Sequence, residues 1–80
     1  MIIKVLGPGC MNCKTLERRT REAVEQLSLE ATIQKVEDYQ GMWSYGIMST
    51  PGLVINETLV SQGRVPTVET IKALIQQAHQ

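Results

Sequence analysis

Apolar positions along this chain change period several times, and each change marks an element. Ile2-Ile3-Lys4-Val5-Leu6 is a short, mostly apolar run, suited to a central strand covered on both faces. After Gly7-Pro8-Gly9, apolar or small residues recur at Leu16, Thr20, Ala23, Val24 and Leu27. They form one face of a helix predicted from Cys13 to about Leu27. The opposite face carries Glu17, Arg18, Arg21, Glu22 and Glu25 and reads as solvated, with Glu17/Arg21 and Arg18/Glu22 spaced i,i+4 for weak ion pairing. Ala31 to Glu37 is a more polar strand, suited to a sheet edge. Asp38 is placed to cap a short helix with Tyr39, Met42 and Trp43 on one side and Gly46 closing it, and Met42 and Trp43 read as core. Leu53-Val54-Ile55 and Leu59-Val60-Ser61 flank Asn56-Glu57-Thr58, which predicts a hairpin. Thr67 caps a final helix with Glu69 in its first turn and an apolar face of Ile71, Leu74, Ile75 and Ala78.

The predicted order is β-α-β-α-β-β-α, an α/β arrangement. The first β-α-β unit forms a parallel strand pair with a right-handed crossover. The hairpin completes a four-stranded mixed sheet, with helices on both faces. Eighty residues make one domain, 1–80, with a single core of limited size.

Charge narrows the partners. Eight basic and eight acidic side chains cancel. That balance gives no electrostatic reason to expect nucleic acid or an anionic membrane surface as partner. No apolar run is long enough to span a bilayer. Met1 leads directly into a core strand, so no signal peptide is expected, and the expected location is cytoplasmic.

Candidate chemistry concentrates at Cys10-Met11-Asn12-Cys13, which holds the two cysteines of the sequence. The pair follows a strand and a glycine-rich turn and opens a helix. A CxxC pair at such a junction is placed for thiol–disulfide exchange. The helix N-terminus points unpaired N–H groups and partial positive charge at the first sulfur, which favours the nucleophilic thiolate. The second thiol is one turn on, close enough to displace a bound partner. As a structural staple the pair makes little sense, because the loop it closes is too short to restrict the unfolded chain much. Lys14 reads as a solvated helix residue. Met11 and Met48 flank the candidate motifs as an adaptable apolar rim, although Met48 reads equally as core. His79 reads as a solvated tail residue.

On two motifs the chain resembles the thioredoxin superfamily over essentially its whole length. One is Gly9-Cys10-Met11-Asn12-Cys13 after the first strand. The other is Tyr45-Gly46-Ile47-Met48-Ser49-Thr50-Pro51, followed by the strand Leu53-Val54-Ile55. Gly63 after the second hairpin strand fits the same pattern. Short length, the Gly-Pro-Gly-Cys approach and the Thr-Pro step make it most similar to the small archaeal and bacterial redox-active disulfide thioredoxins. The resemblance implies a thiol–disulfide oxidoreductase in which Cys10 attacks and Cys13 resolves. It also implies a cis-proline at Pro51 facing the CxxC, and a substrate held by Met11, Thr50 and Pro51. The implied partners are disulfide-containing proteins and a thioredoxin-reductase-type electron donor. No bound cofactor and no metal are expected, and the chain is expected to be a monomer. The sequence departs from the family in three ways. Met11-Asn12 stands in place of the family's usual dipeptides. The first strand offers Lys4 rather than a buried acid, and Lys4 is placed to stabilise a nearby thiolate. Arg64 is an isolated candidate for holding glutathione.

Two other function classes compete. A CxxC also suits a Cu(I)-binding, metallochaperone-like module, because soft thiolates bind Cu(I). That family normally has Met two residues before its first Cys, where this chain has Pro8, and its fold ends in a strand rather than a helix. Tetrahedral zinc needs four ligands, and the sequence offers two thiols and a remote His79. A redox-inert interaction module on the same fold would normally lack one of the two cysteines.

Overall fold

In the computed structural model, β1 (Ile2–Leu6), α1 (Met11–Gln26), β2 (Thr32–Val36), α2 (Tyr39–Trp43), β3 (Gly52–Ile55), β4 (Thr58–Gln62) and α3 (Val68–His79) follow one another in the predicted order. The structure describes residues 1–79, with side chains through Ala78; the expectation for the His79 side chain lies outside the described residues. The strands form one mixed sheet in the order β2-β1-β3-β4. β1 pairs parallel with β2 and antiparallel with β3, and β3 pairs antiparallel with β4. This is an α/β thioredoxin-like sheet, with the most apolar strands, β1 and β3, at its centre and the polar β2 at an edge.

Strand alternation splits the interior in two. Ile3 and Val5 of β1 and Leu53 and Ile55 of β3 face Leu16 and Ala23 of α1 and Ile71 and Ile75 of α3. Leu6 and Val54 point the other way and pack with Met42 of α2 and Ile47. Helices therefore cover both faces, thickly on one and thinly on the other. α1 also buries Thr20, whose hydroxyl donates to the Leu16 carbonyl at 2.7 Å and so needs no other partner.

Caps fix the helix starts. The Asp38 carboxylate accepts from the Gly41 N–H at 2.7 Å, and the Thr67 hydroxyl accepts from the Thr70 N–H at 3.2 Å. α1 begins at Met11 rather than Cys13, because Cys10 itself serves as N-cap. The hairpin turn is tighter than expected. Asn56 and Glu57 both have positive φ, 50° and 68°, and Thr58 already belongs to β4. Trp43, expected in the core, is 71 % exposed. α2 has only five residues, enough to turn Met42 inward and not enough for a second buried row. Tyr39, read on the same side, is exposed as well.

Candidate active site

The sheet register brings the two motifs together. β3 runs antiparallel to β1, so its first residue, Gly52, lies opposite Leu6, the last residue of β1. Beyond that pair Gly7 and Pro51 continue from the two strands toward the head of α1. A side chain at Gly7 would overlap Cys13 Sγ, and its Cβ would stand 4.0 Å from the Pro51 Cα. Gly7 is therefore the floor of the site, a place where only a backbone fits between Cys13 and the proline. Its own N–H donates to the Val36 carbonyl at 2.9 Å, which anchors the exit of β1 to β2. In the sequence the Gly-Pro-Gly run reads as a turn. The signal for a closer role was a glycine directly after a buried strand.

Cys10 and Cys13 are joined by a disulfide, with Cα atoms 5.0 Å apart. The two sulfurs sit in different environments. Cys10 is exposed at the head of α1, whereas Cys13 is 5 % exposed in its first turn. Cys10 has φ −70° and ψ 171°, the extended backbone of an N-cap, and its Sγ accepts from the Cys13 N–H at 3.3 Å. The first turn of α1 holds no acidic residue to oppose negative charge there.

Pro51 is buried, and the Thr50–Pro51 peptide bond is cis. The Pro51 carbonyl accepts from the Gly63 N–H at 2.9 Å, which secures it to the end of β4. Gly63 has φ 72°, so the turn that brings its N–H round uses the backbone region glycine favours. Thr50 is exposed beside Pro51. Met48, for which core was one reading, is 91 % exposed, and its N–H donates to Gln62 Oε1 at 2.7 Å. Met11 is 79 % exposed next to Cys10.

Lys4, placed by the sequence to stabilise a nearby thiolate, is engaged in a polar cluster with Tyr45 and Glu57. Its ammonium bonds the Tyr45 hydroxyl and pairs with Glu57 at 2.8 Å, and the Tyr45 hydroxyl donates to Glu57 at 2.9 Å. The ammonium also stands 5.1 Å from the Tyr45 ring centroid. The hydrogen bond to Glu57, then that to Tyr45, holds Lys4 above its ordinary value. The same bonds hold Glu57 below the usual carboxylate range. The sequence reading missed this because Glu57 reaches Lys4 only after the hairpin folds back.

Glu17, read as part of a wet helix face, has a side chain only 17 % exposed. Its carboxylate bridges Arg21 at 2.9 Å and Lys35 of β2 at 3.3 Å. Burial raises its pKa, but the hydrogen bonds from Arg21 and Lys35 outweigh it and leave Glu17 below the usual carboxylate range. Among the described residues no group of three or more His, Cys, Asp or Glu side chains is gathered to hold a metal ion.

A mixed four-stranded sheet, a cysteine pair opening the first helix and a proline at the start of the third strand define a thioredoxin fold carrying a redox disulfide. The sequence profile of the family described as "Thioredoxin domain" matches residues 1–76. The chain is 36 % identical over 75 residues to a protein named thioredoxin from Methanothermobacter thermautotrophicus, covering 94 % of this chain and 97 % of that one. It is 33 % identical over 72 residues to a protein named thioredoxin from Methanocaldococcus jannaschii, covering 90 % and 83 %. The chain belongs to the thioredoxin family, and it is a thiol–disulfide oxidoreductase. The copper-module reading gains nothing from either fold or relatives: the last element is the helix α3, not a strand. Among the described residues no helix is long and apolar enough to cross a membrane.

Proposed function

We propose that Cys10 is the attacking thiol, Cys13 the resolving thiol, and residues 1–80 one domain that reduces protein disulfides in the cytoplasm as a monomer and passes on electrons from a thioredoxin-reductase-type donor. The observation that carries this reading is the asymmetry of the pair: Cys10 is exposed at a helix N-cap, and Cys13 is buried one turn later. In the reduced protein the Cys10 thiolate attacks one sulfur of a partner disulfide. A mixed disulfide forms and the other partner sulfur leaves as thiolate. Cys13 then loses its proton and attacks Cys10 Sγ. The Cys10–Cys13 disulfide forms, and the second partner thiolate departs. Two electrons have moved to the partner, and no bound cofactor is required.

The partner segment lies extended across Thr50 and Pro51. The Pro51 carbonyl is already bonded to Gly63, so strand-like pairing falls to the backbone at Thr50. Met11 and Met48, both exposed, supply adaptable apolar contact on either side of the reacting sulfur. Their unbranched, polarizable side chains suit partners of varied sequence. The reductase-type donor is favoured over glutathione because Arg64 is an isolated candidate in the sequence, and one cation matches only one of glutathione's two carboxylates. The couple is expected at the reducing end of the range of dithiol potentials.

The test is a pair of turnover assays on a model protein disulfide, one driven by thioredoxin reductase and NADPH, the other by glutathione with its reductase. Faster turnover in the first assay is expected. Faster turnover in the second would move the chain to the glutathione-dependent side.

A further inference from the structure

Met48, Ser49 and Thr50 are the last residues before Pro51, and all three are exposed. Burial therefore does not hold this stretch in the place where a partner chain meets it. Its neighbours are held: Ile47 is buried in the smaller core ahead of it, and Pro51 is buried behind it. Between them lies a side-chain clip, the Gln62 carboxamide, whose Oε1 accepts from the Met48 N–H at 2.7 Å. That distance is at the short end for an N–H···O bond. The sheet register puts Gln62 within reach. It ends β4 directly opposite Gly52. Gly52 has no side chain, and one there would overlap Ile47. The loop thus folds down over Gly52 and arrives beside Gln62. The next residue, Gly63, donates to the Pro51 carbonyl at 2.9 Å. Two successive residues at the end of β4 therefore hold the two ends of Met48–Pro51.

We propose that Gln62 is a positioning residue for partner binding: its carboxamide sets Met48, Ser49 and Thr50 in place before the partner chain arrives. This rests on the reading that the partner segment pairs along Thr50. Strand-like pairing needs backbone N–H and C=O groups that already point the right way. A loose stretch would have to be ordered as the partner binds, and that ordering weakens binding. The clip removes that cost at the residue where burial ends. The same bond fixes the backbone from which the exposed Met48 side chain reaches the partner. A backbone N–H can only donate, so the amide oxygen of Gln62 faces Met48 and its NH₂ group faces away. The role therefore demands an acceptor at this position and is closed to a side chain that only donates. Gln62 is exposed and belongs to neither core, so its replacement leaves the packing of the fold intact. It acts through Met48 and Thr50 rather than on the reacting sulfurs.

The experiment is single turnover of the reduced full chain against excess protein disulfide at several concentrations, quenched by acid and alkylation. The same proteins are run against bis(hydroxyethyl) disulfide, which has no peptide groups to pair. In Gln62→Ala the rate at low protein-disulfide concentration should fall about fivefold relative to the rate on the small disulfide, the weight of one ordinary hydrogen bond. The deficit should shrink as the protein disulfide approaches saturation, because binding rather than chemistry is impaired. Gln62→Glu keeps an acceptor of the same length and should recover most of the loss. Gln62→Lys is long enough but only donates, and should recover none. An unchanged ratio of the two rates in Gln62→Ala would overturn the proposal, whatever its denaturation midpoint. So would a deficit that persists undiminished at saturation, or recovery in Gln62→Lys as full as in Gln62→Glu. A wild-type chain that fails to reduce the protein disulfide would overturn the functional reading and this inference with it. An active wild type matched by Gln62→Ala overturns the inference alone.

Discussion

The two faces of the sheet are built differently. Against α1 and α3, eight buried side chains make one continuous apolar core. Against α2, four buried side chains make a small patch, and Lys4, Tyr45 and Glu57 extend that face with a polar cluster. Apolar anchoring of the fold thus lies with the thick face, and adjustable surface lies with the thin one. The reacting end draws on both. Cys13 hangs from α1 on the thick side, whereas Pro51 is delivered by the loop that follows α2. They meet at Gly7, where neither core extends.

The largest expected effect lies in the thick face. Leu16 is fully buried between α1 and the sheet, and Leu16→Ala should cost about 3–5 kcal/mol, in the upper part of the range for such truncations. Met42→Ala leaves a hole that the short α2 can close by shifting, so about 2 kcal/mol is expected. Chemical denaturation of both variants checks the ordering. A Met42→Ala loss equal to that of Leu16→Ala would break the contrast.

Next in size is the junction. Gly7→Ala forces a methyl group into Cys13 Sγ, and overpacking of this kind costs about 1–3 kcal/mol. The strain falls on the site, so it should appear as a shifted equilibrium with a glutathione redox buffer as well as a lower denaturation midpoint. A normal equilibrium would mean that Gly7 is a turn residue and nothing more.

How much of this was legible in the sequence follows physical range. β1, α1, β3 and α3 announced themselves because their buried positions repeat with the period of their own backbone. The cap at Asp38 and the hairpin were equally local signals. The Cys10/Cys13 asymmetry was legible too, since it needs only the start of one helix. Trp43 misled because a five-residue helix lacks the repeat that tells a buried position from an exposed one. Lys4–Glu57 and Glu17–Lys35 were invisible because each joins two elements whose proximity depends on the finished sheet. The closeness of Gly7, Cys13 and Pro51 is set by the β1–β3 register, which no single segment specifies.

The smallest expected effect is the thin face's polar cluster. Glu57 sits below its ordinary value near 4.5, so its pairing stabilises the fold above that value and is lost as pH falls through the depressed one. Lys4 is held above its ordinary 10.5, so its share is present below that value and is lost as pH rises through the raised one. The pair is solvent-screened, so the effect should be modest. Glu57→Gln should flatten the acid limb of the stability–pH profile in part, leaving the contribution of Glu17, whose carboxyl is also held low. An unchanged acid limb in thermal unfolding would show that the cluster is ornamental.

The central assignment, an exposed attacking sulfur and a buried resolving one, is tested most directly by trapping. Reduced Cys13→Ser and Cys10→Ser variants are mixed with a model protein disulfide, and the products are separated without reductant and mapped by mass spectrometry. Cys13→Ser should accumulate a stable mixed disulfide on Cys10, because the thiol that would release it is gone. Cys10→Ser should trap little, because Cys13 is 5 % exposed behind the helix head. Preferential trapping on Cys13 in the Cys10→Ser variant would contradict the account.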